Sequence, residues 1–197
     1  MASNSQEHRR AKRQKKPLDP SSLEELALAY VARFATSAAK LERYLHRKLR
    51  ERGWAGQEDG EDEPDVAAMV RRYVERGYVD DTVYARARAG DLLRRGYGGR
   101  RVRQALGQAG IGGSVADGVA PHEHAARTAA VHLARKRGFG PFGSEAPDPA
   151  RREKQIAAML RAGHTFDHVR AVLDATGEQA ALDWAEEARE ENGEWDA

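Results

Sequence analysis

Arg76-Gly77-Tyr78-Val79-Asp80-Asp81, followed by Tyr84-Ala85 and then by Arg95-Gly96-Tyr97-Gly98-Gly99-Arg100-Arg101-Val102, is the stretch on which the fold is read. A cationic run stops at a glycine and a bulky residue follows. Glycine reaches positive φ without a Cβ penalty, cations in a last turn face the negative end of the helix dipole, and the bulky residue folds back on the helix, so Gly77 and Gly96 mark helix C-termini. The aspartates just after Gly77 supply N-cap oxygens for the next helix. The same signature stands at Arg52-Gly53-Trp54, Ala109-Gly110-Ile111, Arg137-Gly138-Phe139 and Ala162-Gly163-His164. Gly53, Gly110 and Gly163 close similar segments about 55 residues apart, a period that suits a unit of three helices rather than a coiled coil. No segment alternates β-branched and polar residues as a strand does. The expected fold is all-α, built of tandem three-helix repeats.

Working outward, a serine in Asp19-Pro20-Ser21-Ser22 is expected to cap a first helix whose apolar stripe is Leu23, Leu26, Ala27, Tyr30, Val31 and Phe34. Ser37 offers the next cap, before Leu41, Leu45 and Leu49, and Pro64-Asp65 opens a third helix with Val66, Met69, Val70, Tyr73 and Val74 inward. Repeat 1 is thus placed at 21–77, with an acidic solvated loop at 55–64. Repeat 2, at 78–120, puts Val83, Tyr84, Ala87, Leu92 and Leu93 on one helix and Val102, Leu106 and Ala109 on the next, and Ser114 caps a short segment with Val115 and Val119. Repeat 3, at 121–176, starts at Pro121, runs through Ala130, Val131 and Leu133, crosses a loop at 138–149, and pairs Ile156, Met159 and Leu160 with Val169, Val172 and Leu173.

The net charge of the 197 residues is only +2, which hides a segregation along the chain. Residues 1–17 carry His8, Arg9, Arg10, Lys12, Arg13, Lys15 and Lys16 against Glu7, so 1–20 reads as a disordered basic arm. Residues 177–197 carry Glu178, Asp183, Glu186, Glu187, Glu190, Glu191, Glu194 and Asp196 against Arg189 and read as a flexible acidic tail. The absence of cysteine excludes disulfides, thiolate metal sites and a cysteine nucleophile. No apolar run approaches the roughly 20 residues that span a bilayer. The expectation is a soluble, cytoplasmic monomer without membrane contact.

Together with Leu106 and Gly110-Ile111, the opening stretch resembles the central signature of the RecX family of bacterial regulatory proteins, and the likeness extends over roughly residues 23–175. The resemblance implies tandem three-helix repeats forming an elongated curved helical array. It also implies a non-enzymatic regulator that binds the RecA recombinase–DNA filament, mostly inhibits it, and so acts in homologous recombination, DNA repair and the SOS response. This chain departs from the pattern in its acidic loop, in its two charged ends, and in having His164 where the family usually has an aromatic residue.

Two cationic clusters are the candidate partner-binding sites. Arg94, Arg95, Arg100, Arg101 and Arg103 straddle a turn and a helix start, where cations oppose the dipole and gain nothing for stability, which argues for an anionic partner. Arg43, Arg47, Lys48, Arg50 and Arg52 form the second, in part in a last turn where the dipole already favours them. The partners expected are the RecA filament and, with it, single-stranded DNA. The alternative is a stand-alone helical nucleic-acid-binding protein, with the helices around Gly96 and Gly110 as a variant helix-turn-helix. Other signals are discounted. Gly96, Gly98 and Gly99 lack the Lys-Ser/Thr and the preceding strand of a phosphate loop. His164 with His168, and His122 with His124, lack a third ligand, so no metal or cofactor is expected. Asp80 and Asp81 serve as caps rather than as a catalytic pair, Tyr78, Tyr84 and Tyr97 as core, and no enzyme activity is expected.

Overall fold

The computed structural model describes residues 16–145 and 147–193, and among these the chain forms ten α-helices and no named strand. They are α1 (Pro20–Arg33), α2 (Ala38–Arg52), α3 (Val66–Glu75), α4 (Asp81–Arg94), α5 (Gly99–Gln108), α6 (Gly113–Asp117), α7 (Glu123–Arg137), α8 (Pro149–Arg161), α9 (Phe166–Leu173) and α10 (Glu178–Gly193). The fold is all-α as expected, with successive three-helix groups and a tenth helix added. The helices gather into two compact units, one reaching to Val79 and the other starting at Asp80.

Every signature glycine has positive φ. Five of the six helix ends are Schellman motifs, in which the residue after glycine donates its N–H to the carbonyl five residues back: Tyr78 to Tyr73, Tyr97 to Leu92, Ile111 to Leu106, Phe139 to Ala134 and His164 to Met159. Gly53 departs from them. Its φ of 81° and ψ of 168° lie outside the left-handed helical region, because the chain there runs extended and pairs with Leu18. Leu18 N–H donates to Gly53 O at 2.9 Å, Ala55 N–H donates to Leu18 O at 2.9 Å, and the Arg52 guanidinium donates to Lys16 O at 2.8 Å. Leu18 is fully buried, so order begins inside the segment expected to be a disordered arm; residues 1–15 lie outside the described residues.

The first unit closes over Leu23, Ala27, Leu41, Leu45, Leu49, Trp54, Val66, Met69, Val70 and Tyr73, whose hydroxyl donates to Glu24 O at 3.3 Å. The acidic loop is partly ordered: Ala55–Asp59 is a short 3-10 helix on the buried Trp54, and Glu61 folds over the buried Gly56. Asp19 rather than a serine caps α1, with the Ser22 hydroxyl completing the box; backbone and side-chain hydrogen bonds from Ser22 hold the Asp19 carboxyl below its ordinary pKa. Ser37 caps α2 as read from sequence, Asp80 is the one of the two aspartates that caps α4, and Asp65, at the expected start of α3, caps that helix. Ser114 does not cap α6, and α7 starts at Glu123 behind His122 rather than at Pro121.

In the second unit, α4, α5 and α6 enclose Ala85, Ala89, Leu92, Val102, Leu106 and Ile111. The buried face of α4 is therefore the alanine face, and Val83, expected inward, is 59% exposed, as Tyr78 is at 54%. A second core joins α7 to α8, α9 and α10. Here the acidic tail is corrected: its helix docks through Ala181, Ala185 and Ala188 on the alanine-rich α7. Arg127 on α7 donates to Trp184 O at 3.0 Å with its guanidinium 4.9 Å from the Trp184 ring, and His124 meets Glu186 at 3.5 Å. Small side chains let two helices pack closely, and Glu178, Asp183, Glu186 and Glu187 remain exposed.

Candidate partner-binding surfaces

In the second unit the arginine cluster is positioned by a helix end meeting a helix start. Gly98 N–H donates to Ala162 O at 3.0 Å and Arg100 N–H to Gly163 O at 3.2 Å, so the last carbonyls of α8 cap the first turn of α5, which has no side-chain cap. The negative pole of one helix thus faces the positive pole of the other, and the cations at the start of α5 are less opposed than their sequence position suggests. The contact requires glycine on both sides: a Cβ on Gly98 would lie 2.4 Å from Gly163 O, and one on Gly163 would lie 2.5 Å from Arg101 N. Gly98 is therefore a packing glycine, not part of a phosphate cradle.

Arg94, Arg95, Arg100, Arg101 and Arg103 are all exposed. Arg95 shares Asp91 with Arg88, at 3.6 and 3.5 Å, and lies 5.6 Å from the Tyr97 ring; Arg101 donates to Gln104. Arg100 and Arg101 line a shallow groove with Leu160 and Arg161. Arg161, in the last turn of α8, escapes sequence reading because only the α5–α8 contact brings it beside them. Arg100 and Arg103 also line a cavity of about 250 Å³ with Glu123, His164 and His168. His164 is 1% exposed; its Nε2–H donates to Gly96 O at 3.0 Å, and burial pulls its pKa below the ordinary value, which keeps it neutral. His168 Nε2–H donates to Glu123 at 3.0 Å, and the Arg127 hydrogen bond first, then His168, hold the Glu123 carboxyl below its ordinary pKa. Both imidazoles are thus engaged in packing, and among the described residues no group of three or more His, Asp or Glu is placed to hold a metal ion.

In the first unit the structure divides the second cluster. Arg43, Arg47 and Arg50 share one face of α2 and line a groove with Tyr30, Lys40 and Tyr44. Lys48 and Arg47 both reach Glu51, at 2.5 and 3.5 Å, and both lie under 6 Å from the Tyr44 ring, at 5.7 and 5.5 Å. Arg52 is turned away to hold the chain at Lys16. Tyr30, Lys40 and Tyr44 were not read as site residues, although Lys40, Arg43, Arg47 and Arg50 recur at steps of three and four, the spacing of one helix face.

Fold and surfaces together define a class: an all-α protein of successive three-helix groups, each compact unit presenting an exposed cationic face. The family model described as "RecX, second three-helix domain" matches residues 80–119, from the capping Asp80 through α6. "Regulatory protein RecX" of Myxococcus xanthus is 33% identical over 173 residues, covering 84% of this chain and 91% of the relative. The chain belongs to the RecX family of regulatory proteins. The protein of the same name from Vibrio parahaemolyticus is 29% identical over 129 residues, 66% of this chain and 77% of the relative. The crystal structure of RecX from Lactobacillus salivarius superposes with a TM-score of 0.61 at 18% identity, over 78% of this chain and 96% of that chain, and so supports the fold.

Proposed function

We propose that this chain binds the filament of a RecA recombinase on single-stranded DNA and restrains it, as a cytoplasmic, monomeric, non-catalytic regulator of homologous recombination, DNA repair and the SOS response. The observation that carries the reading, beside family membership, is that the groove of α5 and α8 collects exposed guanidiniums around Arg100, Arg101 and Arg161 without a matching acid in its lining. Such a face suits phosphates or the acidic side chains of a filament groove. The rival reading, with α5 as a recognition helix entering a duplex major groove, is disfavoured because the first turn of α5 is packed against the end of α8. The test is co-sedimentation with a pre-formed recombinase–DNA filament, run beside its ATPase. Replacing Arg100, Arg101 and Arg161 by alanine should reduce both binding and inhibition; a parent protein that neither sediments with the filament nor slows the ATPase sinks the reading.

A further inference from the structure

In the first unit the sequence places Phe34 on the apolar stripe of α1, yet the side chain is 54% exposed. The reason is local. Phe34 is the C-cap of α1, with φ −134° and ψ 124°, and this extended backbone carries it off the helix face that Leu23 and Ala27 bury. It is not alone there. The Phe34 ring lies 5.3 Å from the Tyr30 ring at a tilt of 48°, and Tyr30 stacks on Tyr44 at 4.1 Å and 18°. The result is a ladder of three rings whose inner members are half-buried and whose outer member is open to solvent. Cations flank it throughout: Arg33 lies 5.9 Å from the Phe34 ring, Arg47 5.5 Å from Tyr44, and the groove beside Tyr30 and Tyr44 is lined by Lys40, Arg43 and Arg50. Two acids stand on the same helix: Glu42 meets His46 at 3.9 Å, and Glu51 meets Arg47 and Lys48.

An exposed aromatic face among guanidiniums matches a ligand that has both flat apolar faces and a string of negative charges. We propose that the first unit carries a single-strand platform, in which Phe34 stacks on an unpaired nucleobase while Lys40, Arg43, Arg47 and Arg50 hold the adjoining phosphates. Duplex DNA offers the charge but keeps its base faces stacked, so it leaves Phe34 unused. An acidic polypeptide satisfies the guanidiniums but has no series of planar faces for the ring. The inner pair Tyr30–Tyr44 fixes the platform, since it anchors Phe34 to the core through aromatic contact rather than through a flexible loop. The inference deepens the proposed role, because the filament is built on a single strand. It is tested without recombinase, so that the two readings fail separately.

The measurement is fluorescence anisotropy of an end-labelled oligothymidylate of about 15 nucleotides, within the span of one such site, titrated with the full chain. Phe34→Ala should weaken binding roughly tenfold and Phe34→Trp should restore it, in line with the stacking contribution of one base. An abasic strand of equal length should bind the parent and Phe34→Ala alike, and more weakly than the base-bearing strand binds the parent. Replacing Arg43, Arg47 and Arg50 together should flatten the log–log salt dependence by roughly 2, at about 0.7 per phosphate contact on a single strand. Melting of each variant is followed in parallel, and an exposed Phe34 predicts little change. Equal affinity of parent and Phe34→Ala for oligothymidylate overturns the proposal. So does equal affinity of the parent for base-bearing and abasic strands, or displacement of the strand by polyaspartate at matched charge. The first two leave no stacking, and the last assigns the groove to an acidic protein.

Discussion

At the scale of single residues, the glycines divide by what stands opposite them. At Gly77 and Gly110 no atom would meet an added Cβ within 4 Å, so alanine there suffers only the conformational penalty of positive φ. That penalty is about 1 kcal/mol. At Gly98 and Gly163 the added Cβ would stand 2.4 to 2.5 Å from backbone atoms of the facing helix end, which no side-chain rotation relieves. Gly98→Ala and Gly163→Ala should therefore destabilise by on the order of 3 kcal/mol, by overpacking, and should loosen the capping of α5 by α8. Chemical unfolding of the four alanine variants checks this; Gly98→Ala melting with Gly77→Ala would show that the approach of the two helix ends is not needed. The positive φ of all six signature glycines was legible in the chain, because a helix end is a local event. Gly98 was not, since its φ of −84° is ordinary and its partner is remote in sequence. Gly53 misleads for the same reason: its backbone answers to Leu18, not to the helix it ends.

Among elements, α10 shows how charge can mask packing. Its acids dominate any sum over the segment, yet Ala181, Ala185 and Ala188 recur at steps of four and three and form a narrow buried stripe against α7. Alanine carries little hydrophobic signal, so neither this stripe nor the Ala85 and Ala89 face of α4 stands out in the sequence, where the larger but exposed Val83 signals more strongly. Large side chains announce a buried face; small ones announce it only once the neighbouring helix is known. Truncation before Glu178 should uncover α7 and remove the Arg127–Trp184 contacts, costing at least about 3 kcal/mol and raising the binding of a hydrophobic dye. The rival expectation, of a free acidic tail competing for the arginine faces, has truncation leave melting unchanged and tighten anion binding at low salt. The docking of α10, with Glu186 on His124, argues for the former.

For the whole molecule, the two cationic faces stand on separate compact units, and that permits an additivity test of the proposed role. Let Arg43, Arg47 and Arg50 be replaced by alanine in one variant, Arg100, Arg101 and Arg161 in a second, and both sets in a third. These side chains are exposed, and exposed cations contribute little to folding, so helicity and melting should barely move. If both units grip one filament at once, each triple variant should raise the concentration needed for half-maximal inhibition. The combined variant should then lose the sum of the two free energies to within about 0.5 kcal/mol, as distant and independent contacts do. Two other results are informative because they contradict this. A combined variant no worse than the weaker single set means that only one face meets the filament. A loss far beyond the sum means that neither unit holds alone and that linkage between them supplies the affinity, with effective concentration in place of independent contacts. Inhibition curves at two salt concentrations separate phosphate contacts from acidic side chains in each set, since only the former must follow the single-strand slope of about 0.7 per contact.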